Sequence, residues 1–189
     1  MHRVHKGEFG YIRQERRRMI LITSLLIGGA VVIYGAALIL LGTNANYFTI
    51  LAVLLMLPGA RYLVNTIMFF RARPCSEEVH QGTEAHIGTI AGAYDLYMTS
   101  QERNYAISHL AVGGKSVAAL TEDPQCDTAA GEQHIRKMMQ TNGFHGYSVK
   151  IFTSPARYYE RLEQLNRLEG DAAGETHGRL IALMESISL

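Results

Sequence analysis

The chain has no tryptophan, two cysteines and four prolines in 189 residues. Two cysteines, Cys75 and Cys126, make no disulfide framework, and neither sits in a CxxC pair or a Cys/His ladder. Both read as free thiols in a reducing compartment. Cys75 follows a basic juxtamembrane stretch where acylation is chemically feasible, and it equally suits a small residue beside a helix start. Acidic residues are almost missing from the first 71 positions. That span holds eight Lys/Arg against two Asp/Glu, a balance of 8 − 2 = +6, whereas residues 72–189 hold ten against fifteen, 10 − 15 = −5. A domain at −5 lacks the cationic surface on which nucleic-acid affinity depends, which argues against a nucleic-acid partner.

Charge is also missing from long runs. Met19 to Gly42 contains 24 uncharged residues, about 36 Å as a helix, enough to cross a hydrocarbon core of roughly 30 Å. The run is too long for the apolar region of a signal peptide, and a second apolar run follows within a few residues. That second run, Tyr47 to Phe70, is interrupted by Pro58-Gly59-Ala60-Arg61. It reads either as one kinked spanning helix with Arg61 snorkelling, or as a span that bends at Pro58 and continues along the interface. The intervening Thr43-Asn44-Ala45-Asn46 is short enough to force antiparallel neighbours. Ser24, Gly28, Gly29, Ala30, Gly35, Ala36 and Ala37 offer close helix contact, within the hairpin or between protomers.

Basic residues flank the hairpin on one side only. Arg3, Lys6, Arg13, Arg16, Arg17 and Arg18 precede it, Arg71 and Arg73 follow it, and the connecting turn has neither Lys nor Arg. The positive-inside rule then predicts both termini in the cytoplasm, in the cell (inner or plasma) membrane, with Arg16, Arg17, Arg18, Arg61, Arg71 and Arg73 as anchors. Residues 1–18 form a basic segment that suits an interfacial helix or a stop signal, 19–71 a membrane hairpin, 72–169 an α/β domain, and 170–189 a linker with an amphipathic helix.

Within the soluble part, Ser76-Glu77-Glu78 caps a helix expected to run to about Ala91. Tyr94–Ser100 alternates partially, as a strand does. Tyr105–Val112 and Ser116–Thr121 flank Gly113-Gly114-Lys115 and predict a hairpin. A helix capped at Asp127 or Thr128 runs to Thr141, with Ile135, Met138 and Met139 inward, and Tyr147–Phe152 is a strand. Ser154-Pro155 opens another helix, with Tyr158, Leu162, Leu165 and Leu168 on one face, and Leu180, Leu183, Met184 and Ile187 mark a last one.

The order α-β-β-β-α-β-α resembles restriction-endonuclease-like folds, and more closely the nuclease-related domain, a family often found beside membrane helices. Ile107-Ser108-His109-Leu110, Gly113-Gly114 and Leu120-Thr121-Glu122-Asp123 stand where that family carries Ile-Asp-His-Leu, a glycine turn and Ile-Glu-Thr-Lys. The resemblance covers residues 76–152. It implies a metal site built from an Asp, a Glu and a Lys, but Ser108, Thr121 and Asp123 occupy those positions, and hydroxyls are poor ligands for a hard cation. The whole chain also resembles short two-transmembrane-helix proteins of clostridial bacteria. It carries no sugar-nucleotide motif and no DxD.

Together these features predict a bacterial membrane-anchored cytoplasmic binding or scaffold module with a catalytically inactive nuclease-like domain, a pseudoenzyme needing no cofactor. Its partners would be the bilayer and a protein or a second copy, its candidate site Ser108, His109, Thr121, Glu122 and Asp123. A metal-dependent nuclease with a rearranged site and a structural membrane oligomer are the alternatives. His80, Glu84 and His86 have partial metal-ligand spacing but equally suit a surface His/Glu pair. Glu122-Asp123 with Asp127 suits a cation site or a solvated loop. Gly113-Gly114-Lys115 lacks the spacing of a phosphate loop.

Overall fold

The computed structural model describes residues 4–43, 46–100, 103–168 and 174–189. Arg3, the Asn44-Ala45 half of the interhelical turn, Gln101-Glu102 and most of the linker after residue 169 lie outside them. Two units are present, one of residues 12–72 and one that joins residues 1–11 to 73–189. Residues 4–11 therefore belong with the second of these units, which divides the basic segment expected over 1–18.

The first unit consists of helices α1 (Tyr11–Leu41) and α2 (Tyr47–Arg71), both long and apolar enough to cross a membrane. Leu25, Ile39 and Leu40 are each at least 76% exposed, which separates these helices from the core helices of a soluble protein. Pro58 lies inside α2 without ending it, so the second run is one continuous helix. The helices meet along small residues spaced by seven. Thr23, Ala30 and Ala37 of α1 are buried, as are Ala52, Gly59 and Thr66 of α2. A Cβ on Gly59 would come within 3.2 Å of Ile27, so close approach depends on small side chains there. Of the small residues singled out in the sequence, Ala30 and Ala37 face this seam, whereas Gly28 and Gly35 have open space beside them. The Thr23 and Thr66 hydroxyls lie 2.8 Å apart, and Thr66 Oγ1 also donates to Tyr62 O. Arg16 donates from Nε to Phe69 O and from Nη2 to Ala72 O, and sits over the Phe70 ring. It thereby satisfies carbonyls that α2 leaves open at its negative end.

The second unit contains α3 (Glu77–His86), β1 (Ala91–Thr99), β2 (Asn104–Gly113), β3 (Ser116–Leu120), α4 (Thr128–Thr141), β4 (Ser148–Phe152), α5 (Pro155–Leu168) and α6 (Gly174–Ile187). The sheet order is β1-β2-β3-β4, with the first three antiparallel and β4 parallel to β3 through the α4 crossover. Ile135 and Met139 of α4 and Leu180, Ile181 and Met184 of α6 cover one face. Val79 of α3 and Tyr158, Leu162 and Leu165 of α5 cover the other. With both faces covered, nine of the ten β2 residues are buried, and its sequence reads as an apolar run rather than a clean alternation.

Helix α3 stops five residues short of Ala91. Gly88 takes φ 59°, a left-handed conformation that ends the helix and turns the chain into β1. Asp95 is the one non-glycine residue with positive φ among those described, at 55°. The pleat changes phase there. Ala93, Leu96 and Met98 all face the α4/α6 core while Tyr94 faces α3 and α5. The partner strand shifts at the same level, with Tyr105 and Ile107 and then Leu110 and Val112 on one side. This double phase change explains the partial alternation of the β1 sequence.

Both sheet edges are blocked. At β1, the Tyr94 amide donates to Gly7 O and the Leu189 amide donates to Tyr97 O, so the two ends of the chain cover the edge. Lys6 Nζ ties those ends together by donating to Ser188 O. At β4, Glu132 Oε1 accepts the Ile151 amide at 3.0 Å and the Lys150 ammonium at 3.0 Å. Charged and occupied edges of this kind resist further strand addition.

Candidate functional site

The antiparallel register of β2 and β3 pairs His109 with Leu120, which puts Ser108 level with Thr121 at the end of β3. The hairpin thus brings together the residues singled out in the sequence, but in the interior. Ser108, His109 and Thr121 are 3%, 0% and 1% exposed. Thr121 Oγ1 donates to Ala106 O at 2.6 Å and accepts the Asp123 amide. Glu122 and Asp123 leave the strand for the surface and stabilise local turns. Glu122 Oε2 accepts the amide of Ser76, the N-cap of α3, and Asp123 Oδ1 accepts the Gln125 amide and lies 3.7 Å from Arg73. Asp127 caps α4 through the Ala130 amide and pairs with Arg103. The acidic cluster is three carboxylates with three separate tasks.

His80, Glu84 and His86 do not converge. His80 lies 4.0 Å from Glu84, whereas His86 stacks on Tyr159 and approaches Glu163. Among the described residues no group of three or more His, Cys, Asp or Glu side chains has the geometry to hold a metal.

A polar and aromatic cluster between α3, β1, β2 and α5 gathers His80, Glu84 and His109, each singled out in the sequence, around Tyr94 and Tyr158, which were not read there as part of a site. His109 Nδ1 lies 2.6 Å from the Tyr158 hydroxyl, and the His109 ring leans against Tyr94 at 4.2 Å. Tyr94 donates its hydroxyl to Glu84 Oε1 at 2.7 Å. His80 packs edge-on to Tyr94, and Phe9 stacks on His80 at 3.9 Å. Among the described residues, three buried atoms of this cluster, His80 Nδ1, Thr83 Oγ1 and His109 Nε2, have no hydrogen-bond partner of ordinary geometry. Gly92 lets the His109 ring approach the sheet, since a Cβ there would stand 2.6 Å from Nε2. Burial, aided by neighbouring His80, pushes His109 down to about 3, so the ring is neutral at physiological pH. Burial first, then the hydrogen bond and charge of Glu84, push the Tyr94 phenol up. Burial, with Tyr94 next, does the same to Tyr158. His109, Tyr94 and Tyr158 are therefore neutral hydrogen-bonding groups at physiological pH. The only sequence signals for it were polar residues interrupting apolar strands and the His80/Thr83 spacing beside buried Val79.

Two of the surface clefts that adjoin these elements carry both acidic or basic and aromatic side chains. One of about 330 Å³ lies between the starts of α3 and α5 and is lined by Ser76, Glu78, Val79, Gly82, Glu122, Pro155 and Tyr159. Glu122 is thus the residue of the candidate set that reaches a cleft. Burial, then Cys75, Glu78 and Glu122, push the Tyr159 phenol up. The other, about 660 Å³, lies against α4, where Tyr105, Gln133, His134 and Lys137 line it. Burial and then Lys137 push His134 down.

The fold is a helical hairpin joined to a three-layer unit with a mixed four-stranded sheet. No protein family, curated protein or solved structure matches this chain.

Proposed function

We propose that the chain is a membrane-anchored binding module, with both termini in the cytoplasm, whose α/β unit keeps a nuclease-like scaffold without its catalytic carboxylates. The observation that carries the reading is the burial of Ser108 and Thr121 at the level where such a scaffold would place metal-binding acids. Thr121 has its hydroxyl committed to a backbone carbonyl. A carboxylate at either interior position would need full compensation for its desolvation. The order of elements and the parallel β3–β4 pair support the scaffold, and the one-sided basic flanks support the orientation.

Binding falls to the cleft beside Glu122. Its two carboxylates, Glu78 and Glu122, lie beside the Tyr159 ring, a combination suited to a cationic or amine-bearing group. The −5 balance of residues 72–189 favours the approach of such a partner. The test combines three measurements on the full-length chain. Carbonate washing should leave it in the membrane pellet. Purified protein should cleave neither DNA nor RNA with Mg²⁺ or Mn²⁺. Mn²⁺ binding should be the same in the parent chain, Glu122→Ala and Asp123→Ala. Metal-dependent cleavage lost in those variants would establish the nuclease instead.

A further inference from the structure

The outer side of α2 carries polar groups at the depth where a bilayer is driest. Leu54, Pro58, Arg61 and Asn65 follow one another at spacings of four, three and four, which places them on one helix face. Arg61 lies two positions, about 200° of helical rotation, beyond Gly59 of the hairpin seam, so this face points away from α1. Arg61 and Pro58 are exposed and Asn65 is half-buried. Among the described residues, neither the Arg61 guanidinium nor the Asn65 amide has a hydrogen-bond or ionic partner. Pro58 adds an acceptor to the same face. It has no amide hydrogen to give to the carbonyl of Leu54, one turn earlier.

Depth makes the simplest solution, snorkelling, costly. Arg61 is ten residues, about 15 Å, from Arg71, and two residues, about 3 Å, from the middle of the 25-residue helix. Centred in a hydrocarbon core of roughly 30 Å, it is separated from the nearer headgroups by about 12 Å, more than one side chain spans by snorkelling. A guanidinium left in lipid at that depth is costly, and intramembrane charges characteristically face other protein.

In hydrogen-bonding groups, though not in charge, the face matches itself across a two-fold axis. It holds a donor set in Arg61, an open acceptor at the Leu54 carbonyl, and in Asn65 an amide that both donates and accepts. We propose that this face of α2 joins two copies of the chain in parallel about a two-fold axis along the membrane normal. The Asn65 amides pair across the axis, and each Arg61 reaches the Leu54 carbonyl of the second copy. Such a two-fold contact closes on itself and stops at a dimer. The inference rests on the membrane reading above, because only in lipid do these groups lack water as a partner.

The test is single-molecule photobleaching of the labelled full-length chain in native membranes, at densities spanning the monomer–dimer transition. The parent chain should bleach in two steps. Asn65→Leu and Arg61→Leu should each weaken association about three- to thirtyfold, the range for one interhelical hydrogen-bonded contact. Both changes make the span more apolar, so insertion is preserved. Gly28→Leu, on the open side of α1, should leave association unchanged. A monomeric parent chain that stays in the carbonate pellet would overturn the interface while leaving the anchor intact. So would dimers indifferent to both α2 variants, dimers lost only in Gly28→Leu, or crosslinks from the α2 face to a different protein. Release of the chain by carbonate would overturn the membrane reading and the interface together.

Discussion

Asp95 accepts the amide of Cys75 at 2.7 Å on one carboxylate oxygen, from a backbone held at φ 55°. Its other oxygen accepts the Gly10 amide at 2.9 Å, and the side chain is 2% exposed. One buried residue thus holds both stretches of the soluble unit that lead into the hairpin, just before α1 and just after α2. Aspartate tolerates the left-handed region better than most residues, and the strain it retains is offset by two charge-assisted hydrogen bonds. Asp95→Asn keeps the shape but sets an NH₂ group against one of those amides. It should destabilise the soluble unit by about 2–3 kcal/mol, read as a lower urea midpoint, and should raise amide exchange over residues 4–11.

Acid should weaken the unit through His109. Its folded-state basicity is pushed down to about 3 against an ordinary 6.5, so between those values the unfolded chain binds a proton that the folded chain refuses. Stability from the neutral, buried ring is fully present above pH 6.5 and is lost as pH falls toward 3. In His109→Gln, which keeps a polar group near Tyr158 but cannot titrate, the urea midpoint should fall less steeply from pH 6.5 to 4. A parallel decline in both proteins would mean that other groups set the acid limb.

Gly92→Ala tests how tightly that ring is held. The added methyl would stand 2.6 Å from His109 Nε2 and 2.9 Å from Ile87 Cδ1. A loss of about 1–3 kcal/mol is expected for overpacking of this degree, measurable as a lower thermal midpoint. Pairing it with His109→Ala should recover part of the loss, because the obstructing ring is gone.

The Thr23–Thr66 contact gives a prediction for the hairpin. Thr66 donates to Tyr62 O, so Thr23 is the donor between the two hydroxyls. Thr66→Val should cost about 0.5–1.5 kcal/mol, because the Thr23 hydroxyl loses its acceptor in a dry seam, and Thr23→Val should cost less, because Thr66 keeps Tyr62 O as a partner. The double change should cost less than the sum of the two, since both polar groups disappear at constant shape. Reversible unfolding of the hairpin in micelles, followed as a double-mutant cycle, reads the coupling.

Where the chain makes helices and strands was legible in its sequence, because caps, glycine stops and apolar periodicity act over a few residues. The Ser76 and Asp127 caps, the Ser154-Pro155 start and the glycine hairpin all lie where local chemistry puts them. The candidate site was legible only as a stretch of chain. Ser108 and Thr121 are polar residues in apolar strands, which in sequence looks the same whether the side chain faces a cleft or the core. The phase change at Asp95 and its partner strand decided that question, and a residue cannot announce a positive φ through its identity alone.

What the sequence by itself determined is the division into an apolar, basic-flanked hairpin and an acidic α/β unit, since hydropathy and charge are sums over the chain. What only the tertiary structure decided is which groups meet. Asp95 reaches Gly10 across 85 positions and His109 reaches Tyr158 across 49, while Thr23 finds Thr66 across 43. Such contacts depend on how packed elements are arranged in space, and no local pattern of residues encodes them.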